Sequence, residues 1–455
     1  MLHLITAVKS VVQRAIDSAI SAFEQDTSLI QNKMNDVLNP ANEAQRQKFR
    51  AQILQALKNA KNGAANEAQG SDDPKYVSKH PEVGIVQAAM NSALEETPSI
   101  VPPQAGIAAA PFEQFGPLDP GWIECVIDGF KTFLSGKAPF VQHQNLSDFL
   151  VAIPDTCTIV LLGDGGASNS AAKSVTRQIR ALNPDICVHL GDIYYAGQDN
   201  EAEEFLNLWP LADAATGKIT SHSSFAMNGN HEMFSGGRAY FNRVLFAFGQ
   251  PASYFGLRNS NWQFLACDSA YIDGRLLSPA DAQPIDERVG SQWIWLVDKI
   301  KGNSTQQTIL LSHHQPISAF AAENTEGRPL TQDATKLFDA AGIQNVFGWF
   351  FGHEHQCTIY DDSQTGYKAR LIGNGCVPHA PPTATKPDQG CAPFIAMNQG
   401  KNALGDALSG FVLLKLEGPT ISIQYVNEDG TPFFSEVWTK TAQAQAAGAG
   451  PVSSL

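Results

Sequence analysis

The chain has 455 residues, 43% of them hydrophobic and 17% charged, the balance of a largely globular protein with room for two domains or one large domain with additions. Its net charge is −14, and residues 1–62 hold 8 Lys/Arg against 5 Asp/Glu, a balance of +3 that leaves −17 for the rest. Such acidity disfavours extended binding along nucleic-acid backbones, which requires lysine and arginine to neutralise phosphates. It leaves open a small anionic substrate held by a metal.

At the start of the chain Ile5, Val8, Val12, Ile16, Ala19 and Phe23 recur at steps of three and four, one apolar helical face. Lys9 and Arg14 interrupt the apolar stretch, and no small-residue cleavage site follows it. The segment therefore reads as a helix and not a signal peptide, which puts the chain in the cytoplasm unless another route exports it. A second helix is expected from Pro40, with Asn39 as its cap and Phe49, Ile53 and Leu57 along one side. Polar, small KNGAANEAQGSDDP then reads as a linker, and residues 60–120 show little periodicity. Residues 1–120 thus form a helical accessory region and linker. It serves either as a docking module for a protein partner, through residues 1–70, or as a packing extension, which the pattern favours. No apolar run is long enough to span a membrane.

From about residue 155 the texture changes. TIVLLGD, ICVHLGD, SFAMNGNH, WQFLACDS, TILLSHH and VFGWFFGHEH are short apolar runs with polar ends, separated by helical stretches, the first of which reaches about Leu182. Alternating buried strands and helices imply an α/β core with both sheet faces covered and functional residues at the strand ends. GFVLLKLEG, TISIQYVNEDG and PFFSEVW read as antiparallel strands, with Asp429-Gly430 marking a hairpin. The catalytic domain is expected over 121–440, and TAQAQAAGAGPVSSL at 441–455 reads as a disordered tail. The seven cysteines are scattered and contain no CxxC pair, so neither a zinc cluster nor a disulfide framework is expected. Cys157, Cys187 and Cys267 read as core residues, and His189, within a strand, as a satisfied core histidine.

Five strand ends carry metal-type ligands in order: Asp164, Asp192, Asn230-His231, His313-His314 and His353-Glu354-His355. Each alone is weak, but five polar turns at the ends of buried strands would desolvate many groups that ions can satisfy. Two ions ~3.5–4 Å apart can clamp a phosphate and acidify a bound water. One carboxylate must bridge them, and Asp192 suits that place; Asn230 adds a neutral amide oxygen. His231 is placed to donate to a phosphate oxygen or to the leaving group as the catalytic residue. Arg238, in the loop MFSGGRAYF, and His379, in GNGCVPHAP, are weaker substrate-binding candidates, Asn374 lines the same mouth, and AFAAENTEGRPLTQDAT reads as an aperiodic lid.

The order GD…GD…GNHE…H…GHxH resembles the calcineurin-like metallophosphoesterase superfamily over roughly 158–435. The resemblance implies an α/β fold built as a metallophosphoesterase β-sandwich flanked by helices. Most members read Asp-x-His at the first motif, where this chain has Asp164-Gly165-Gly166; with Asp192-Ile193-Tyr194-Tyr195 this pair is similar to purple acid phosphatases. In these the tyrosine of the second motif takes the vacated place, which by position is Tyr195, with Tyr194 as aromatic packing. The resemblance implies Fe(III) on Asp164, Asp192, Tyr195 and His355, and a divalent Zn, Mn or Fe on Asp192, Asn230, one of His313/His314, and His353. Counting from the apolar run favours His313; the family's His-x-Pro favours His314, which is preferred, with His313 behind it or on the substrate side. The implied function is hydrolysis of small phosphate monoesters by in-line attack of a metal-bound hydroxide. The alternatives are a phosphodiesterase acting on nucleotides or phospholipid head groups and an effector module using the helical front; the complete ligand set argues against the last.

Overall fold

The computed structural model describes residues 137–440, apart from 146–148, 167, 214–215, 220–222, 273, 284, 304, 321–329 and 380. The expected N-terminal helices, the linker, the docking region 1–70, His222, most of the lid and the tail lie outside the described residues. Fourteen strands run in chain order: β1 (Leu150–Ala152), β2 (Thr156–Leu162), β3 (Ile186–His189), β4 (Ser224–Ala226), β5 (Phe255–Arg258), β6 (Trp262–Cys267), β7 (Gln307–Ser312), β8 (Val346–Phe351), β9 (Cys357–Tyr360), β10 (Lys368–Ile372), β11 (Phe394–Met397), β12 (Gly410–Glu417), β13 (Thr420–Asn427) and β14 (Pro432–Thr439). They form a six-stranded sheet, β14-β13-β12-β2-β3-β4, and an eight-stranded sheet, β1-β5-β6-β7-β8-β10-β9-β11.

The period of two along a strand explains how the sheets stack. Ile159 and Leu161 of β2 join Ile309 and Leu311 of β7 and Phe350 of β8 in one core shared by both sheets. Val160 and Leu162 face the other way, against Val175 and Ile179 of helix α1 (Ser170–Leu182) and Phe205 of α2 (Asp199–Leu208). The third of the short site helices, α3, spans Asn230–Phe234. On the outer face of the eight-stranded sheet, Leu310 packs with Trp295, Leu296 and Ile300 of α4 (Gly290–Lys301) and Leu337 of α5 (Leu330–Ala341). This is the helix-flanked sandwich that the sequence predicts. One local expectation fails: the stretch read as an aperiodic lid enters α5 at Leu330.

Local sequence sets the ends of α1. Asn169 accepts the Ala172 N–H at 2.9 Å through Oδ1, and Asn183 closes the helix at φ 47°. No helix among the described residues is long and apolar enough to cross a membrane.

Parallel register positions the site. β2, β3 and β4 pair in parallel, with Leu162 opposite His189 and His189 opposite Ala226. β6, β7 and β8 also pair in parallel, with Cys267 opposite Ser312 and Ser312 opposite Phe351. Three strands in each sheet therefore stop at one level, and the turns that follow them meet at one rim of the sandwich.

Candidate metal centre

The turns at that rim are unusual in their backbone. Five non-glycine residues with positive φ occur among the described residues, and three are ligand candidates: Asp164 at 56°, Asp192 at 74° and His353 at 72°. Non-glycine residues in the left-handed region are held there at a cost and collect at functional sites. The first and second turns lie back to back, with Asp164 N–H donating to the Gly191 carbonyl (3.1 Å) and Gly166 N–H to the Asp192 carbonyl (3.2 Å). A Cβ on Gly166 would sit 2.3 Å from Ile193 Cα, so only glycine fits where related turns carry histidine. A Cβ on Gly229 would meet Asp192 Oδ1 at 2.2 Å, which makes the third turn equally tight.

Two groups of side chains result. In the first, a ligand atom of each of Asp164, Asp192 and His355 lies within 4.8 Å of the others. At their centre is the hydroxyl of Tyr194, 3.1 Å from Asp164 Oδ1, 3.1 Å from Asp192 Oδ2 and 3.0 Å from His355 Nε2. This corrects the choice of Tyr195. The positive φ of Asp192 turns the chain so that Tyr194 points inward, fully buried. Tyr195 instead uses its backbone: its N–H donates to Glu201 Oε1, and its carbonyl accepts from His231 Nδ1 at 2.7 Å.

In the second group, His313, His314 and His353 offer ligand atoms within 4.8 Å of one another. His313 is the one that meets the remaining donors: its Nε2 lies 2.9 Å from Asn230 Oδ1 and 3.3 Å from Asp192 Oδ1. His353 Nδ1 lies 2.9 Å from the same Asn230 oxygen and 3.3 Å from His313 Nε2. His314 Nδ1 goes to Ser269 Oγ at 3.1 Å. The structure thus sets His313, and not the preferred His314, against Asn230 and Asp192: strand β7 ends at Ser312, and the first residue beyond it faces Asp192.

The donor set fits metal ions. One phenol oxygen lies between two buried carboxylates and an imidazole, and one amide oxygen faces two ring nitrogens, the kinds of atom that bind cations. Without a cation, protons must fill that role. Burial alone would lower His313, but the charge of Asp192 and its hydrogen bond, with Asp164 and Glu232, push its pKa up to about 9. Asp192 is held far below the usual carboxylate range against its burial, by His313 and then His231. Burial, then Asp192 and Asp164, push the Tyr194 phenol well above 10, so without a strong cation beside it this phenol keeps its proton.

The other predicted residues fall around this centre. The backbone N–H of His231 donates to Asp192 Oδ1 (3.1 Å), while its Nε2 is 3.8 Å from Asp192 Oδ2. Because Nδ1 faces the Tyr195 carbonyl, an acceptor, it carries the hydrogen, and the neutral ring presents a lone pair at Nε2. Burial lowers the pKa of His231 against the pull of Asp192. His379 Nε2 meets the carbonyl of His355, its ring 6.3 Å from that ring. Arg238 donates to the Ser235 carbonyl in its own loop (3.2 Å), and Asn374 donates to the Leu408 carbonyl (3.2 Å). His189 is a fully buried core residue whose Nδ1 accepts the Gly191 N–H at 3.3 Å, but its Nε2 finds no hydrogen-bond partner among the described residues, so the expected satisfied histidine is only half satisfied; its ring is tilted against Phe205, and burial lowers its pKa to about 3.

Three supporting residues escaped the sequence reading. Glu232 Oε2 accepts the N–H of Asp192 and of Gly229, each at 3.2 Å, and ties the second turn to the third. Burial and Asp192 raise its carboxyl well above the usual range. Asp268 accepts from Asn228 Nδ2 (3.2 Å to each oxygen) and from the N–H groups of Ala270 and Tyr271. Ser269 accepts the His314 N–H at 3.0 Å. The signal was present: WQFLACDS is an apolar run with a polar end like the others, and the glutamate stands in GNHE.

No curated protein matches the chain. Among solved structures, GAP50, the anchor in the inner membrane complex of Plasmodium, is 12% identical with a TM-score of 0.45, covering 63% of this chain and 90% of its own. Vacuolar Protein Sorting 29 from Cryptosporidium parvum is 13% identical with a TM-score of 0.31, covering 64% and 100%. A predicted phosphoesterase from Streptococcus pneumoniae is 8% identical with a TM-score of 0.27, covering 62% and 98%. The family model of the calcineurin-like phosphoesterases matches residues 157–357, a span that opens on β2 and closes just past His355. Over that span the chain is similar to the calcineurin-like phosphoesterases, and its rim gathers carboxylates, an amide and imidazoles of the kind that hold metal ions.

Proposed function

We propose that the chain hydrolyses small phosphate monoesters with two metal ions, in the manner of a purple acid phosphatase. A ferric ion would be held by Asp164, Asp192, Tyr194 and His355, and a divalent Zn, Mn or Fe by Asp192, Asn230, His313 and His353. The observation that carries this reading is the Tyr194 hydroxyl, within 3.1 Å of both carboxylates. A phenolate is a hard anionic oxygen, and only a strongly charged ion keeps it ionised in a buried site. Two ions so held supply charge stabilisation for the phosphoryl group and acidify water for attack.

The protein's own groups do the rest. Asp192 serves both halves of the site, since Oδ2 faces Tyr194 and Oδ1 faces His313. Glu232 and the N–H of His231 fix its orientation. His231, with a lone pair at Nε2 in its neutral form, would take the proton released by the attacking water and give it to the leaving oxygen. His379 and Arg238 are the candidates for the rim that receives the rest of the substrate.

The test is metal analysis and a visible spectrum of the purified chain, followed by turnover on a panel of phosphate mono- and diesters. Two metals per chain, a phenolate charge-transfer band and faster monoester cleavage are expected. A colourless, fully active zinc or manganese enzyme would remove the ferric assignment, and diester preference would replace the substrate class.

A further inference from the structure

We infer that Ser269 fixes the tautomer of His314 and makes that imidazole a hydrogen-bond donor to a phosphate oxygen of the substrate, not a metal ligand. The substrate half of this inference rests on the phosphoesterase reading above; the tautomer half does not.

The register of β6 and β7 sets Cys267 beside Ser312, so Ser269 and His314 stand side by side, two residues past that pair. Both are buried. Ser269 Oγ accepts the His314 backbone N–H at 3.0 Å and lies 3.1 Å from His314 Nδ1. A hydroxyl has one hydrogen and two lone pairs. One lone pair is used by the backbone N–H. Among the described residues, the acceptor within reach of the hydrogen is Nδ1, and a buried hydroxyl hydrogen without an acceptor is unfavourable. Nδ1 of His314 therefore accepts, and the neutral ring carries its hydrogen on Nε2.

The neighbour in sequence is wired the other way. His313 Nδ1 lies 3.1 Å from the Leu190 carbonyl, which can only accept. In the neutral ring its hydrogen sits on Nδ1, and Nε2, which faces Asn230 and Asp192, is the nitrogen left with a lone pair for a metal. A ring that binds a metal through Nε2 needs that lone pair; His314 would have to move its hydrogen to Nδ1 to supply one, taking from the Ser269 hydroxyl the nitrogen lone pair it donates to. The two rings stand at 85° to each other with centroids 4.9 Å apart, so the adjacent histidines divide the work. One is shaped to coordinate and the other to donate.

His314 is also held firmly enough to aim a hydrogen bond. Its carbonyl accepts from Ser312 Oγ at 2.7 Å, and Ser312 Oγ in turn accepts from Trp349 Nε1 at 2.8 Å. Its ring lies 4.5 Å from that of His353, at the lip of the second ligand group. Ser269 acts through His314 and is a positioning residue.

The test uses the full chain with ¹⁵N-labelled histidine and long-range ¹⁵N–¹H spectra, the His314 signals being those that disappear in His314→Ala. In the metal-free wild type the Nε2–H tautomer is expected at His314, and in Ser269→Ala a population with hydrogen on Nδ1. In the metal-loaded chain, His314→Ala is expected to keep two ions and to bind inorganic phosphate about tenfold more weakly by calorimetry. A wild-type His314 with hydrogen on Nδ1 overturns the inference, and that reading stands even if Ser269→Ala does not fold. Loss of an ion in His314→Ala overturns it as well. If the wild type takes up no metal pair, the functional reading fails, while the metal-free tautomer still decides the part played by Ser269.

Discussion

Tyr194→Phe separates the structure's reading of the site from the one that spacing suggested. The substitution keeps the ring, which packs among Ala172, Ala196, Cys376 and Val377, and removes only the hydroxyl. That hydroxyl donates to one of two buried carboxylates, each 3.1 Å away. A hydrogen bond to a charged partner contributes ~1.5–3 kcal/mol, so the metal-free chain should lose about that much in urea unfolding. On the proposed function, one of four oxygen and nitrogen donors would be lost from one ion in the loaded chain, so the phenolate band should vanish and iron occupancy fall. Tyr195→Phe is the internal control. Tyr195 serves the site through its N–H and carbonyl, which the substitution leaves in place, so stability should move by less than ~0.5 kcal/mol and the band should remain. The measurement is a urea titration of both variants, metal-free, beside visible spectra and metal analysis of the loaded forms. Bleaching by Tyr195→Phe with the band intact in Tyr194→Phe would refute the geometry argued here.

Three further outcomes are expected. His231→Ala should keep both metals, because its bond to Asp192 comes from the backbone, and should slow turnover by ~10²–10⁴-fold; metal loss on analysis would make it a ligand. Gly166→Ala should cost ~1–3 kcal/mol or more in urea unfolding, since its Cβ would meet Ile193 Cα at 2.3 Å and the neighbour is backbone. Buried Arg370 bonds Glu436 at 2.7 Å and Asp362 at 2.8 Å and, against their burial, holds both carboxyls below their ordinary values of 4.5 and 3.8. Their contribution is therefore complete above those values and lost as pH falls through the depressed ones. Thermal unfolding of the metal-free chain should show that acid slope, and Arg370→Met, which leaves Lys368 on Asp362 at 2.6 Å, should show a shallower one; equal slopes would count against the ion network.

The sequence disclosed the rim because each strand that feeds it is a buried apolar run with an abrupt polar end. Parallel pairing then aligns those ends whatever the loops between them do, so Asp164, Asp192, Asn230 and His353 could be read without knowing the sheet order. The hairpin at Asp429-Gly430 was equally legible: Asn427 N–H reaches the Thr431 carbonyl at 2.8 Å across a turn with Gly430 at φ 85°. Strands β1, β5, β9, β10 and β11 went unread, being three to five residues long, too short for periodicity to register. The choices between Tyr194 and Tyr195 and between His313 and His314 failed for a different reason. Counting residues presumes a regular backbone, but the chain passes through φ 74° at Asp192, and the partners that decide each ring are the Leu190 carbonyl and the Ser269 hydroxyl, both remote in sequence.

The absent histidine of the first motif and the buried tyrosine of the second are one feature of the fold. Two backbone hydrogen bonds press the turns together, and the space a side chain at position 166 would need is filled by Ile193. A donor for the Asp164 side of the centre must then come from the second turn, and Tyr194 supplies one that reaches both carboxylates. The exchange changes the chemistry of the site as well as its shape. An imidazole can coordinate as a neutral group near neutral pH, whereas this phenol sits well above its ordinary value of 10, raised by burial and by Asp192 and Asp164. The same carboxylates that oppose the phenolate are those that would draw in a highly charged cation, and the ion that binds them most strongly is the one able to remove the phenol's proton. On the proposed function, close packing of two glycine-bearing turns would thus favour a hard, strongly charged ion at that position.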